Sequence, residues 1–291
     1  MDELLTCQLG GGRTIGYAQY GDLSGFPLIF HHGWPGSHYQ GSLLHEPAVR
    51  MGVRVIAVDR PGIGVTQLGD IDSVLQFALA VRDLADVLDF DRFHILGVSG
   101  GGPYALACAA AAPERVRGVG ICCGTPPLEL LTTERTIHFM YRLMMVIEHE
   151  AQGLTHPAMS LIRLMINALP SPLSLLPLRL VIPKSDRMVL RLRLNQEIVL
   201  NSMKDAFRNG IGPVIADARR IQNPWGFSLE SIEIPVTFWH GGMDRNIPLE
   251  TARLMIRQVP LSITHVYPSE GHYSLPMKHA QAFLEHLSQS P

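Results

Sequence analysis

One short segment, Gly97-Val98-Ser99-Gly100-Gly101, has residue types suited to nucleophilic catalysis. Ser99 follows an apolar run typical of a strand and precedes a small-residue stretch typical of a helix. A sharp strand-to-helix turn strains its central residue, and the residues two before and two after it need almost no side chain because strand and helix pack closely there. Gly97 and Gly101 meet this requirement. We therefore predict that Ser99 is a nucleophile at the tip of a strand.

The serine hydroxyl needs a base, usually a histidine that a carboxylate orients. Asp244 and His272 are the candidates, because each directly follows a predicted strand and side chains beyond strand ends gather at one edge of a sheet. The order serine, acid, histidine is the one expected for this strand–turn–helix arrangement. Glu270 is the alternative acid, but it lies only two residues from His272 and would have to fold back on it. We predict the catalytic residues Ser99, Asp244 and His272.

Acyl transfer also needs donors for the developing oxyanion, commonly the N–H after the nucleophile and one from a loop that follows another strand. Gly100 supplies the first. The segment His32-Gly33-Trp34-Pro35-Gly36 follows an apolar strand, and we predict the Trp34 N–H as the second donor, with His32 and Gly33 supporting the motif. The Trp34–Pro35 bond is a candidate for the cis form. The alternative is an ordinary Gly/Pro turn with a packed tryptophan.

A second glycine loop, residues 59–66, also follows a strand. It lacks the lysine of a phosphate-binding loop and the glycine spacing of a dinucleotide site, so we interpret it as a turn that buttresses the site. His31 and His32 are adjacent rather than four residues apart, and the cysteines and histidines show no zinc-site spacing. The sequence therefore implies neither a metal nor a cofactor.

The elements that must position these residues alternate between short apolar runs and helical patterns, which indicates a parallel sheet covered by helices. Two initial segments, residues 4–9 and 14–20, are predicted to form an antiparallel hairpin at the sheet edge. Further strands are predicted at residues 27–30, 53–58, 93–98, 116–123, 235–239 and 263–267. Helices are predicted at residues 73–88, 102–112 and 249–258.

From residue 125 to residue 223 the pattern becomes helical, with periodic stretches at 133–150, 157–169 and 186–209. Because strand-like sequence resumes at Ile234, this insertion interrupts one sheet. We predict a core of residues 1–124 and 224–291 and a helical cap, or lid, of residues 125–223.

Composition narrows the possible partners. The 24 Lys and Arg nearly balance the 26 Asp and Glu, so no global field would attract nucleic acid. No apolar stretch is long enough for a membrane span, and no secretory signal is visible, so a cytoplasmic location is expected. The four cysteines are predicted to be buried thiols. The expected partner is a small-molecule ester, and the chain is expected to be a monomer or a homodimer.

On these residues the chain resembles the α/β-hydrolase superfamily, from about Thr14 to the C-terminus apart from the insertion. The resemblance implies an eight-stranded, mostly parallel sheet with helices on both faces and a cap over Ser99. The segments 97–108 and 224–227 look most like bacterial capped hydrolases and esterases. The segment 32–37 is similar to a motif of epoxide hydrolases, which use an aspartate nucleophile where this chain has Ser99.

The sequence thus predicts a serine hydrolase of the carboxylesterase type that acts on small to medium, largely apolar substrates through an acyl-enzyme at Ser99. One alternative on the same triad is a lactonase or a carbon–carbon bond hydrolase. Another is a ligand-binding or signalling protein on a hydrolase scaffold.

Overall fold

The computed structural model describes residues 4–67, 69, 71–131 and 152–289. These residues form eight strands: β1 (Leu4–Leu9), β2 (Arg13–Gly21), β3 (Phe26–His31), β4 (Val53–Val58), β5 (Phe93–Val98), β6 (Val116–Cys122), β7 (Val236–Gly241) and β8 (Ser262–Tyr267). They belong to one sheet in the order β1-β2-β4-β3-β5-β6-β7-β8. Strand β2 is antiparallel to both neighbours, and the other neighbouring pairs are parallel. The predicted eight-stranded, mostly parallel sheet is confirmed.

The described α-helices fall into three groups along the chain. Before β6 lie α1 (His45–Met51), α2 (Val74–Val87) and α3 (Gly102–Ala111). Between β6 and β7 lie α4 (Leu128–Leu131), α5 (Gln152–Ala168), α6 (Ser171–Ser174), α7 (Leu176–Val181), α8 (Lys184–Val189), α9 (Arg193–Ala206) and α10 (Gly212–Gln222). After β7 lie α11 (Leu249–Ile256) and α12 (Ser274–Ser288).

Alternating side chains of the central strands fill two separate cores. Ile29, Ile56 and Ile95 belong to a buried cluster with residues of α2 and α3. Their neighbours Phe30 and Leu96 belong to a second cluster with residues of α1 and α12. Successive side chains of a strand point to opposite faces, so the two clusters lie on opposite sides of the sheet. Helices on both faces follow from the apolar composition of these strands.

The predicted strands and the predicted helices at 73–88, 102–112 and 249–258 agree with the observed elements to within two residues at each end. Helix α12, which follows the His272 loop, is not among the predicted helices. The edge hairpin is confirmed, since β1 pairs with β2 alone at one end of the sheet. Strand β7 continues to Gly241, beyond the predicted end at residue 239. All four cysteines are buried and free, as expected. Among the described helices, none is both long and hydrophobic enough to cross a bilayer.

The chain between β6 and β7 is called here the β6–β7 segment (residues 123–235), and its described residues are mostly helical, as predicted, but divided into several helices. The stretch with helical periodicity over 186–209 is helical but not continuous: residues 190–192 separate α8 from α9, and Leu192 is extended. The side-chain amides of Asn195 and Gln196 donate to the carbonyls of Val189 and Leu190, which satisfies acceptors freed by the break. The predicted helical stretch 133–150 lies entirely outside the described residues. The division of the chain into core and cap stays a prediction.

Candidate active site

Ser99 occupies the turn between β5 and α3 with φ of +54°, a left-handed conformation that is costly for a residue with a side chain. The two flanking glycines explain how this turn is accommodated. A Cβ atom at Gly97 would lie 2.5 Å from the Gly101 carbonyl oxygen, and one at Gly101 would overlap the His31 carbonyl. Close packing of the strand against the helix therefore requires glycine at both positions, as the sequence pattern indicated.

The structure brings Ser99, His272 and Asp244 into one hydrogen-bonded chain. Asp244 follows β7, and His272 lies between β8 and α12. The His272 Nε2 atom is 2.9 Å from the Ser99 Oγ, and its Nδ1 atom is 2.8 Å from the Asp244 Oδ2. Ser99 is partly accessible, whereas His272 and Asp244 are buried. This arrangement can move a proton from the serine hydroxyl to the imidazole while the carboxylate stabilises the imidazolium.

Electrostatics favour the charged forms of the histidine and the aspartate. Burial by itself lowers the pKa of His272, but the charge and hydrogen bond of Asp244 outweigh burial and raise that pKa well above 6.5. Burial likewise raises the pKa of Asp244, but the His272 charge and hydrogen bond hold it below its usual range. The other Asp244 oxygen accepts the N–H groups of Asn246 and Ile247 at 2.8 and 2.9 Å. The carboxylate is thereby fixed in orientation.

Glu270, the alternative acid, points elsewhere. Its two oxygens lie 3.1 and 3.0 Å from the Lys278 Nζ, and one lies 3.5 Å from the Nε2 of His279. The hydrogen bond to His272 is made by Asp244 instead.

The two predicted oxyanion donors lie close together beside Ser99. Gly100 is in the first turn of the short helix Ser99–Gly101, where amide groups have no partner within the helix. A Cβ atom placed on Gly100 would be 3.2 Å from the Trp34 nitrogen. The Gly33 N–H is engaged by the Gln40 Oε1 at 2.7 Å, whereas the Trp34 N–H makes no hydrogen bond to any described residue. The Trp34–Pro35 peptide is cis.

A buried ion pair holds the loop that contains Trp34. The Arg60 guanidinium donates to the Asp217 carboxylate at 2.7 to 2.9 Å and also to the carbonyls of His32 and Gly33. The Tyr104 hydroxyl donates to the same carboxylate at 2.7 Å. Arg60 and Asp217 are 0% and 1% exposed. Because Asp217 lies on α10, the β6–β7 segment contributes to the support of this loop, together with the turn at residues 59–66.

Replacing Asp217 with asparagine is expected to lower the free energy of unfolding by about 3–5 kcal/mol, because it leaves the Arg60 charge buried without its partner. Urea denaturation followed by circular dichroism measures this change. Asp83→Asn is the matched control, since Asp83 pairs with Arg13 at 2.9 Å near the surface. Loss of such an exposed pair costs about 1 kcal/mol or less. Equal losses in the two variants would contradict the role given to Asp217.

Two histidines of this region, His31 and His32, have structural roles. His31 and His32 are fully buried, and burial lowers the pKa of His31 to about 3. The pKa of His32 is also lowered by burial, and its Nδ1 lies 2.8 Å from the Gly33 carbonyl. Both rings are therefore neutral at physiological pH, and His32 supports its own loop.

Two clusters in the described part of the chain have metal-ligand atom types within 4.8 Å of one another: Cys123, Asp244 and His272, and His38, Asp59 and Asp205. In the first cluster, both His272 nitrogens are already taken by hydrogen bonds. In the second, the Asp59 carboxylate accepts a hydrogen bond from the His38 backbone N–H at 2.7 Å, and its other oxygen lies 2.7 Å from the His38 Nδ1. Hydrogen bonds therefore already engage His272 in the first cluster and both His38 and Asp59 in the second.

Three further side chains contribute to the site without any pattern that would single them out in the sequence. They are Gln40, Asp217 and Asp186, the last of which accepts the backbone N–H of His272. Each is a common polar residue inside a segment of mixed composition, and its contact is visible only in three dimensions.

Comparison with known proteins places this geometry in context. Residues 28–286 match the alpha/beta hydrolase family. The chain is 28% identical over 257 residues to a 2-hydroxy-6-oxononadienedioate/2-hydroxy-6-oxononatrienedioate hydrolase of Cupriavidus pinatubonensis, covering 82% of this chain and 76% of that protein. A shorter match, 36% over 115 residues, covers 38% of this chain but only 30% of the dihydrolipoyllysine-residue acetyltransferase component of the acetoin cleaving system of Pseudomonas putida.

A thermophilic esterase from Thermogutta terrifontis has a similar fold, with a TM-score of 0.65, 19% identity and 99% coverage of both chains. The family match spans most of the sequence and agrees with the observed sheet. The chain therefore belongs to the alpha/beta hydrolase family.

Proposed function

We propose that this protein is a serine hydrolase that cleaves carboxylic esters of small to medium, largely apolar substrates. The observation that carries the proposal is the continuous hydrogen-bond path from the Ser99 Oγ through His272 to Asp244. A hydroxyl so connected can lose its proton as it attacks a carbonyl carbon.

In the first half of the proposed reaction, the Ser99 oxygen bonds to the substrate carbonyl carbon and its proton passes to the His272 Nε2. The N–H groups of Trp34 and Gly100 stabilise the negative charge that develops on the carbonyl oxygen. The tetrahedral intermediate then expels the alcohol, which takes the proton from His272. In the second half, water attacks the acyl-enzyme by the same route and releases the acid and free Ser99.

The surroundings of Ser99 support an uncharged, apolar substrate. A Cβ atom at Gly100 would be 3.1 Å from the Ile221 Cδ1 and 2.9 Å from the Trp34 Cβ, so apolar groups border the turn. Arg60, which lies beside this loop, already pairs with Asp217 and donates to two carbonyls. It has little capacity left for a substrate carboxylate.

The proposed function is tested with a fluorophosphonate, which transfers its phosphonyl group to the oxygen of an activated serine and releases fluoride. We expect one label per chain, located on Ser99 by peptide mass spectrometry, together with hydrolysis of p-nitrophenyl esters of graded acyl length. Absence of labelling combined with absence of ester hydrolysis would exclude the proposal.

A second candidate is hydrolysis of a carbon–carbon bond, which the curated relatives favour. Besides the protein of Cupriavidus pinatubonensis, the chain is 26% identical over 276 residues to a 2-hydroxy-6-oxo-6-phenylhexa-2,4-dienoate hydrolase of Burkholderia cepacia. Such a substrate is a vinylogous diketone with a carboxylate. Its turnover, followed by the loss of dienol absorbance and compared with that of the esters, decides between the two reactions.

A further inference from the structure

The β6–β7 segment sends a carboxylate into the loop that carries His272. Asp186 lies on α8 and is fully buried. One of its oxygens accepts the His272 N–H at 3.0 Å. The other accepts the N–H groups of Tyr273 and Ser274 at 3.1 and 2.8 Å. A single side chain thus binds three consecutive backbone amides that begin at the histidine.

The Ser274 amide lies at the start of α12, where the first N–H groups of a helix lack acceptors within it, and the amides of His272 and Tyr273 immediately precede it. The positive end of the helix dipole also favours a carboxylate there. The preceding amide, that of Gly271, donates to the Ser274 Oγ at 2.8 Å. All four amides from Gly271 to Ser274 are therefore held by side chains, three of them by Asp186.

The backbone is fitted closely around this carboxylate. A Cβ atom at Gly271 would lie 2.5 Å from both Asp186 oxygens, so any side chain there would displace the aspartate or the loop. Apolar contacts fix the same junction, since Ile182, Val189 and Leu190 form a buried cluster against which Tyr273 and Met277 pack. The position of α8 and that of the His272 loop are consequently coupled.

We propose that Asp186 is a positioning residue that holds the His272 imidazole between Ser99 and Asp244. The proposal rests on the function proposed above. It gives the β6–β7 segment a role in assembling the catalytic groups, in addition to any contact that this segment makes with substrate. Asp186 itself takes no part in bond making, because its oxygens are occupied by backbone amides.

The test is Asp186→Asn, assayed with the ester that the wild type hydrolyses best. The single oxygen of an asparagine can keep the hydrogen bonds of only one carboxylate oxygen. Its NH₂ group would then face a backbone N–H, and two donors cannot form a hydrogen bond. A displacement of about 1 Å in a catalytic group can cost about 100-fold in rate. We therefore expect kcat to fall about 100-fold while KM changes less than about threefold.

Glu197→Gln is the matched control. It removes a carboxylate from the same segment. Glu197 is half-buried, and among the described residues it pairs only with Arg193, at 2.7 Å. We expect wild-type kcat and KM. If Asp186→Asn also keeps the wild-type kcat, the proposal is wrong. The same holds if the loss appears in KM alone.

A second readout does not depend on turnover, so it separates failure of this proposal from failure of the proposed function. The proton on the His272 Nδ1, hydrogen-bonded to Asp244, gives a downfield proton NMR signal. We expect this signal in the wild type and its broadening or loss in Asp186→Asn. An unchanged signal would overturn the positioning role, whatever substrate the enzyme uses. Absence of ester hydrolysis with a perturbed signal would instead count against the ester reaction alone and support the positioning role.

If Asp186→Asn does not fold, Asp186→Ser carries the test, because serine removes the carboxylate without placing an NH₂ group against the backbone amides. It keeps one acceptor and loses the charge, so we expect an intermediate loss of kcat, about tenfold. Wild-type kcat together with the wild-type NMR signal would overturn the proposal.

Discussion

Ser99→Ala is expected to lower kcat for ester hydrolysis by about 10⁴- to 10⁶-fold, because it removes the atom that would form the acyl-enzyme. The side chain is small and partly accessible, so its removal creates no sizeable cavity. Circular dichroism should therefore match the wild type. Stopped-flow or steady-state release of p-nitrophenolate measures the rate, and fluorophosphonate labelling should disappear in parallel.

Ser24→Ala provides the control for this substitution. Within the described part of the chain, the Ser24 hydroxyl donates only to the Asp22 carboxylate, at 2.7 Å in a surface turn, so its loss should leave turnover unchanged. Retained hydrolysis in Ser99→Ala would refute the nucleophile assignment. Ligand binding that persists without any turnover in the wild type would instead favour a binding protein on this scaffold.

Asp244→Asn is expected to lower kcat by about 10⁴-fold, because it favours the tautomer of His272 that cannot accept the serine proton. The Asn oxygen would keep the bonds from the amides of Asn246 and Ile247, which leaves its NH₂ group facing the His272 Nδ1. The imidazole proton would then move to Nε2, where it blocks acceptance of the Ser99 proton. Steady-state kinetics on a folded variant measures the loss.

Glu270→Gln is the control that separates the two candidate acids. Glu270 is bonded to Lys278 rather than to His272, so we expect wild-type kcat. A large loss in Glu270→Gln with little loss in Asp244→Asn would reverse the assignment of the acid.

Asp244 also sets the pH dependence of kcat/KM. Asp244 raises the pKa of His272 well above 6.5, and the base is active only when it is neutral. The kcat/KM of the wild type should therefore rise with pH through a midpoint above 6.5. In Asp244→Asn the negative charge that stabilises the imidazolium is absent, so the pKa of His272 falls. The pH midpoint of the residual kcat/KM should therefore lie lower than in the wild type. A midpoint that stays in place would contradict this electrostatic role.

Much of this molecule could be predicted from local rules. Alternating apolar runs predicted the strands because each buried strand must be apolar on both faces. The glycines around Ser99 indicated a tight strand-to-helix turn because only they fit where strand and helix touch. Asp244 and His272 could be singled out because both follow parallel strands, whose ends share one edge of the sheet.

The interruption between α8 and α9 could not be predicted in this way. Residues 186–209 have helical periodicity throughout, and local propensity favours one helix. The carbonyls at the break are satisfied by the side chains of Asn195 and Gln196, while Leu190 is buried. Tertiary burial outweighed the local preference.

The sequence by itself determined the sheet, the turn at Ser99 and the short set of residues able to form the triad, since these depend on patterns within a few residues. The acid predicted from the sequence, Asp244 rather than Glu270, is the one that bonds to His272. Only the tertiary structure decided that Asp217 neutralises Arg60 and that Asp186 holds the histidine loop. Asp186 and His272 are 86 residues apart in the chain, and Arg60 and Asp217 are 157 apart. Contacts across such separations arise from how helices pack on the finished sheet, and no local pattern encodes them.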